Sequence, residues 1–392
     1  NITGSSAQIT WTTNEAATSR VEYGLTTAYG SSTTLDTTLV TAHSVALTNL
    51  APNTTYNYRV RSIDAAGNER VSANSTFKTA AVPDTSAPTV AISAPTGAVP
   101  VSGTVTVSAN ASDNVAVAGV QFLLDDVALG IEDTTAPYSI SWNTTTASNS
   151  VHTLAARARD TSGNSATSSL ISVTVDNQAP SGSVVINGGA AATKNTTVAL
   201  ALSAADTQGP VTQMRFSNDG TTFSAAEAYA TSKSWALTSG DGTKTVYVQY
   251  QDAAGNWSTA ATDSIVLDTT APSTSGITAT VVTSSSVIIT WTTNEPSTSQ
   301  VEYGLTTAYG SSTTLDTTPV TAHSVALIGL TSNATYNFRV HSSDALANEA
   351  VSANATFIID TATPSIPTGL TATAISQRRS TCRGQHRPTT WR

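Results

Sequence analysis

Cysteine is all but missing: Cys382 is the only one in 392 residues. It lies in the final stretch, so no disulfide can staple the rest, and each folded part must hold together by its core. Charged residues make up only 11% of the chain and aromatics only 6%. No apolar run is long enough to cross a membrane as a helix, and no leader or sorting motif is visible. Because Asn1 rather than Met comes first, a leader further upstream is expected to be lost. Apolar residues at helical spacing are absent too, which leaves the α class without support. There is no nucleophile elbow, no glycine-rich phosphate loop and no zinc-ligand spacing.

What fills the chain instead is Thr, Ser, Ala and Val, a composition that suits half-buried pleated strands and makes poor helices. Strict alternation recurs, as in Tyr56-Asn57-Tyr58-Arg59-Val60 and Val246-Tyr247-Val248-Gln249-Tyr250. The fold class is therefore all-β. The length exceeds one sandwich of about 100 residues, so several are expected in series.

The formal charge of −9 is unevenly spread. Arg378, Arg379, Arg383, Arg387 and Arg392 crowd the last sixteen positions, leaving 12 bases against 26 acids in the rest, a net of −14. Such a surface repels nucleic acid and anionic membranes, and favours solubility and cation binding.

Internal repetition sets the organisation. The pattern Asp-x-x-Ala-Pro begins at Asp84, Asp176 and Asp268, with a variant at Asp360, and the four lie 92 residues apart. Asp-x-x-Gly-Asn begins at Asp64, Asp160 and Asp252 and returns in altered form from Asp344 to Asn348. In the first pattern Pro88, Pro180, Pro272 and Pro364 end a strand ladder and stiffen the crossing to the next module. In the second, the Asp side chain can cap its own turn while the Gly takes positive φ. The expected modules are 1–80, 84–176, 177–268 and 269–360, with the start of a fifth in 361–392.

Residues 9–77 and 289–357 align without a gap, and about three quarters of the positions are identical, which points to duplication. Both resemble fibronectin type III modules, through Ile9-Thr10-Trp11, its twin at Trp291, and the corner Leu50-Ala51-Pro52-Asn53-Thr54-Thr55-Tyr56. The second copy has Ser332 in place of that proline, and a looser turn is expected there. The stretch from Trp11 to Gly24 also resembles the module that precedes the catalytic domain in purple-acid-phosphatase-like enzymes. Residues 84–176 resemble bacterial Ig-like modules through Ala136 to Trp142 and Thr153 to Asp160. Residues 176–268 resemble a related Ig-like type through Met214 to Gly220 and Asp252 to Ser258. These resemblances imply a tandem array of β-sandwiches, each about 35–40 Å long and together on the order of 150 Å.

Both ends read as cut. Asn1 aligns with Val281, so the first module is expected to lack most of its opening strand and to be the least stable. Pro367 to Thr373 reads as the start of another fibronectin module, after which the composition changes abruptly. From Gln377 onward a slip of reading frame is the expected cause, since another frame restores a strand with its Trp.

Catalysis finds no support. His43 and His323 are one position seen twice, and with His152, His341 and His386 they read as surface-strand residues. Asp125 and Asp126 read as a hairpin turn. Tyr23, Tyr29, Tyr303, Tyr309 and Trp257 could serve as sugar platforms, though single aromatics on strands mostly pack on neighbours.

One constellation carries chemistry. In a sandwich of this topology, two loops lie at the end where the chain comes in, so each linker Asp meets loops of the module that follows. This gathers Asp84 with Asp113, Asn114 and Asp160; Asp176 with Asp206 and Asp252; and Asp268 with Asn294, Glu295 and Asp344. Hard oxygen ligands at a junction suit Ca²⁺, which takes six to eight of them. Turn chemistry alone also accounts for the same residues. The resemblances imply a non-catalytic extracellular or cell-surface spacer or adhesion stalk, monomeric, with polysaccharide or another surface protein as partner. An accessory region of a secreted hydrolase is the alternative.

Overall fold

A computed structural model describes residues 1–361 and 365–374. The chain falls into two compact units. The first comprises Asn1–Ser181, Ala204–Gln213 and Tyr250–Thr259; the second comprises Gly182–Ser203, Met214–Gln249 and the described residues from Ala260 onward. Among the described residues, apart from one short 3₁₀ turn, Thr144–Thr146, every regular element is a strand.

In the first unit the opening sandwich is organised by the strand Ala7–Gly24. Its first half pairs antiparallel with Asp36–Leu47 and its second half with Thr55–Ile63. The alternating apolar side chains of these strands meet in a core of Ile9, Val21, Leu47, Leu50 and Phe77. The second sandwich has two separate sheets. Thr104–Ser112 runs between Thr89–Ala94 and Ser139–Asn143, while Val151–Asp160 pairs with Val117–Leu124, Ser165–Thr167 and Ile171–Thr174. Phe122, Trp142, Leu154 and Val173 fill the space between them. Val101 adds a parallel bridge to Val175, joining the two ends of this module.

In the second unit, residues 197–201 pair antiparallel with 232–236, and residues 242–248 with 261–267. Ala192–Thr193 pairs parallel with Val266 and Leu267. The last sandwich repeats the first around Ser286–Gly304 and adds the strand Thr274–Thr283 along its edge. That added strand has a visible effect. Trp291 is 1% exposed, whereas its twin Trp11, with no strand in the equivalent place, is only half-buried.

Two expectations need correction. The turn with Ser332 is no looser than the one with Pro52. The Tyr336 hydroxyl accepts from the Thr331 N–H at 3.0 Å, and that of Tyr56 from the Ala51 N–H at 2.9 Å. Asn333 and Asn53 both take positive φ, 55° and 48°. The tyrosine, not the proline, closes this corner. Second, the histidines on the Thr-Ala-His-Ser-Val strands are not on the surface: His43 is 3% exposed and His323 2%. Each lies under the indole of its module, which fills space that a surface position would leave to water. Pro367 to Thr373, read as the start of a further module, has no strand assigned among the described residues. The reading of the tail from Gln377 lies outside the described residues. Asp125 and Asp126 do form a turn, with φ of 48° and 63°.

Candidate metal centres

Each site begins with the turn after an alternating strand, Val151–Asp160, Gly242–Asp252 or Thr335–Ser343. The Oδ1 of Asp160 accepts the N–H of Ser162 and of Asn164, both at 2.8 Å, and its Oδ2 accepts the Asn164 side-chain amide at 2.7 Å. Asp64, Asp252 and Asp344 make the same closure with Asn68, Asn256 and Asn348. A short carboxylate that folds back on its own turn explains why Asp and Asn sit four residues apart.

The asparagine does a second job. Its amide also reaches the backbone carbonyl of the linker aspartate: Asn164 to Asp84 at 3.0 Å, Asn256 to Asp176 at 2.9 Å, Asn348 to Asp268 at 3.0 Å. The linker is thereby pinned against the turn. Nothing in the sequence reading gave this residue a role beyond the turn, although its constant place after each Asp was the available signal.

So pinned, the linker carboxylate meets two others. One oxygen each from Asp84, Asp113 and Asp160 lie within 4.8 Å of one another, and the same holds for Asp176, Asp206 and Asp252, and for Asp268, Glu295 and Asp344. All nine predicted residues are gathered in threes. Asn114 joins the first group, donating to Asp84 Oδ1 at 3.2 Å. Asn294 instead holds the linker backbone, its Oδ1 accepting the Ser273 N–H at 2.6 Å. Asn294 and Glu295 do not lie in a loop. They sit in the middle of the unbroken strand Ser286–Gly304, where its pairing shifts register between Thr292 and Ser297.

The three groups differ in burial. Asp176 is fully buried and Asp252 is 2% exposed. Asp176 Oδ1 accepts the Gln178 N–H at 3.1 Å, while its Oδ2 is buried with no hydrogen-bond partner. Asp84 Oδ2 and Asp113 Oδ1 are likewise buried and unpartnered. An orphaned buried carboxylate oxygen is costly unless something positive faces it. Burial pushes the Asp176 carboxyl above the usual range, and the charges of Asp206 and Asp252 push it further. Burial does the same to Glu295, helped by Asp268 and Asp344. At Asp160 burial also pushes upward, but the bonds from Asn164 and the turn outweigh it, and the group stays below its ordinary range. None of the nine carboxylates forms an ion pair among the described residues. Three converging hard oxygens, in carboxylates that in the first two groups also hold buried orphans, are the donor set of a divalent cation such as Ca²⁺.

The first module has Asn14, Glu15 and Asp64 at the corresponding places, around a cavity of about 230 Å³. The tyrosines considered as sugar platforms are engaged within the modules. Tyr23 packs on Tyr56, Tyr303 on Tyr336, and Tyr29 and Tyr309 lie under Arg59 and Arg339.

Residues 88–156 match the bacterial Ig domain family, and residues 1–79 and 272–358 match the N-terminal domain of purple acid phosphatase. No curated protein matches the chain. Among solved structures, fibronectin(III)-like modules of CbhA from Clostridium thermocellum are similar at 22% identity, with 46% of this chain and 94% of that one covered and a TM-score of 0.32. A bacterial ice-binding adhesin, described for its retention on the host cell surface, is similar at 17% identity, covering 71% and 99%, with a TM-score of 0.36. A run of titin domains is similar at 13% identity, covering 70% and 99%, with a TM-score of 0.30. No helix among the described residues is long and apolar enough to cross a membrane.

Proposed function

We propose that this chain, an all-β tandem array of fibronectin type III-like and bacterial Ig-like modules, is a non-catalytic extracellular spacer or adhesion stalk whose junctions hold calcium. The observation that carries the reading is the buried, unpartnered Oδ2 of Asp176, in a carboxylate grouped with those of Asp206 and Asp252. A bound cation would offset the repulsion within each group of three and tie a linker to the loops of the next module. The ligands are Asp84, Asp113 and Asp160; Asp176, Asp206 and Asp252; and Asp268, Glu295 and Asp344. The fit of soft and nitrogen-preferring metals is poor, because no Cys or His belongs to any group.

An acidic, thinly charged surface suits a polysaccharide or another surface protein as the partner better than nucleic acid. A second reading, an accessory region of a secreted hydrolase, is favoured by the match of two modules to the phosphatase N-terminal domain. Carbohydrate contact by the array fits either reading.

Thermal unfolding of the whole chain in calcium and in excess chelator, at matched ionic strength, tests the cation. A cation that binds only the folded state adds about 2.7 kcal/mol at a hundredfold excess over its dissociation constant. The midpoint should rise with calcium and rise less with magnesium, which demands a tighter octahedron. Superimposable curves would leave the nine carboxylates as turn formers.

A further inference from the structure

We infer that a cation held at a junction strengthens the module before it, because one aspartate closes that module with its backbone and enters the carboxylate group with its side chain. The inference rests on the calcium reading above and adds to it a direction in which stability is passed.

Asp176 is the clearer case. Its N–H donates to the Val101 carbonyl at 2.9 Å, and the Val101 N–H donates to the Thr174 carbonyl at 2.9 Å. These two bonds make the parallel bridge that joins the beginning of the second module to its end. Tension on the two ends pulls such strands past each other, so both bonds are loaded in shear and must break together. The other atoms of Asp176 face forward. Its carbonyl accepts the Asn256 amide at 2.9 Å, its Oδ1 accepts the Gln178 N–H, its Oδ2 is buried without a partner, and its carboxylate lies with those of Asp206 and Asp252. The closing bond cannot open without withdrawing this residue from the carboxylate group. A cation there binds the closed arrangement and not the open one, and so suppresses the local opening by mass action.

Asp268 repeats the arrangement. Its N–H donates to the Thr193 carbonyl at 3.0 Å, beside the Val266 N–H to Ala191 carbonyl bond at 3.1 Å, closing the parallel pair of its own preceding module. Its carbonyl accepts the Asn348 amide at 3.0 Å, and its carboxylate lies with Glu295 and Asp344. The first junction is built differently. The first module's terminal bond is made by the Ala80 N–H, to Thr3 at 3.1 Å, well before Asp84. A cation at Asp84 therefore has no grip on that bond, which supplies an internal control.

Amide hydrogen exchange on the whole chain, with calcium binding measured calorimetrically on the same samples, tests the direction. With calcium at a hundred times its dissociation constant, the amides of Val101, Asp176, Val266 and Asp268 should exchange about a hundredfold more slowly than in chelator. The Ala80 amide should be unchanged. In Asp206→Asn, which alters a carboxylate outside the second module, only Val101 and Asp176 should lose the calcium response, with chelator rates no faster than wild type because a repelling charge is removed. Calcium binding without slowing at Val101 and Asp176, or with equal slowing at Ala80, overturns the inference and leaves the cation reading standing. Absence of binding overturns both.

Discussion

The imidazole of His323 lies flat against the indole of Trp291, ring centroids 4.7 Å apart and 5° from parallel. His43 and Trp11 repeat the stack at 4.7 Å and 7°. The His323 ring is held from both sides, Nδ1 by the Ser299 hydroxyl at 2.7 Å and Nε2 by the Thr293 hydroxyl at 2.9 Å. Burial pulls both imidazoles below their ordinary range.

A pH dependence of known sign results for the two fibronectin-like modules. Below the unfolded imidazole value of about 6.5, the unfolded chain takes up protons that the folded modules refuse. Their stability should fall as pH drops from neutral through that value towards the depressed folded one. In the second module His152 has the opposite shift, raised by its 2.6 Å bond to Asp125. Its contribution is present below about 6.5 and fades as pH rises through the raised value. Hydrogen exchange at pH 5.5 and 7.5, corrected for intrinsic rates, should show faster opening around Trp291 at the lower pH and slower opening around His152. Shifts in the same direction would refute this.

Asp176→Asn should raise the unfolding midpoint in chelator, since it removes a buried charge beside two like charges while keeping the size. The same substitution should abolish the calcium response at that junction. In wild type in chelator the Asp176 junction should itself gain stability on mild acidification, as protons reach the raised carboxyl first. A calorimetric series in both media reads all of this, and a variant less stable than wild type in chelator contradicts it.

Gly304→Ala should cost at least about 3 kcal/mol. A methyl there would lie 1.5 Å from the Tyr309 carbonyl, and in the first module Gly24 faces Tyr29 at 1.4 Å. Gly310, with φ of 88° and nothing within 4 Å, should lose only about 1 kcal/mol on the same change. Urea unfolding that ranks the two variants the other way would show the loop able to give.

Ser342→Ala should cost about 1–3 kcal/mol by orphaning the Trp291 indole N–H, which it accepts at 2.9 Å in a fully buried setting. Ser62→Ala, beneath the half-buried Trp11, should cost less because water can reach the indole. Equal losses in denaturant titrations would count against the role given to the extra strand.

Alternation and the two spaced aspartate patterns carried the all-β reading, because both are local: the period of a strand and the chemistry of a turn leave their mark residue by residue. The gathering of the nine carboxylates was legible for a different reason, since topology places one end of a sandwich beside its incoming linker. What stayed hidden was non-local. Nothing in Thr-Ala-His-Ser-Val says that an indole from the neighbouring strand will cover its histidine. Nor does the altered corner at Ser332 reveal that a hydroxyl from Tyr336 substitutes for a proline's stiffness. The second bond made by Asn164, Asn256 and Asn348 depends on the path of the linker, which local pattern does not encode.

The strand Ser286–Gly304 belongs to both faces of its sandwich, pairing first with Asp316–Ile328 and then with Thr335–Ser343. Neither face can therefore come apart while the other stays whole, since the fraying of one withdraws the backbone of the other. In the second module the two sheets share no strand and are tied mainly by side-chain packing, with the Val101–Val175 bridge at one end. One chain thus combines two styles of failure: modules that give way all at once, and a module in which one sheet can loosen ahead of the other.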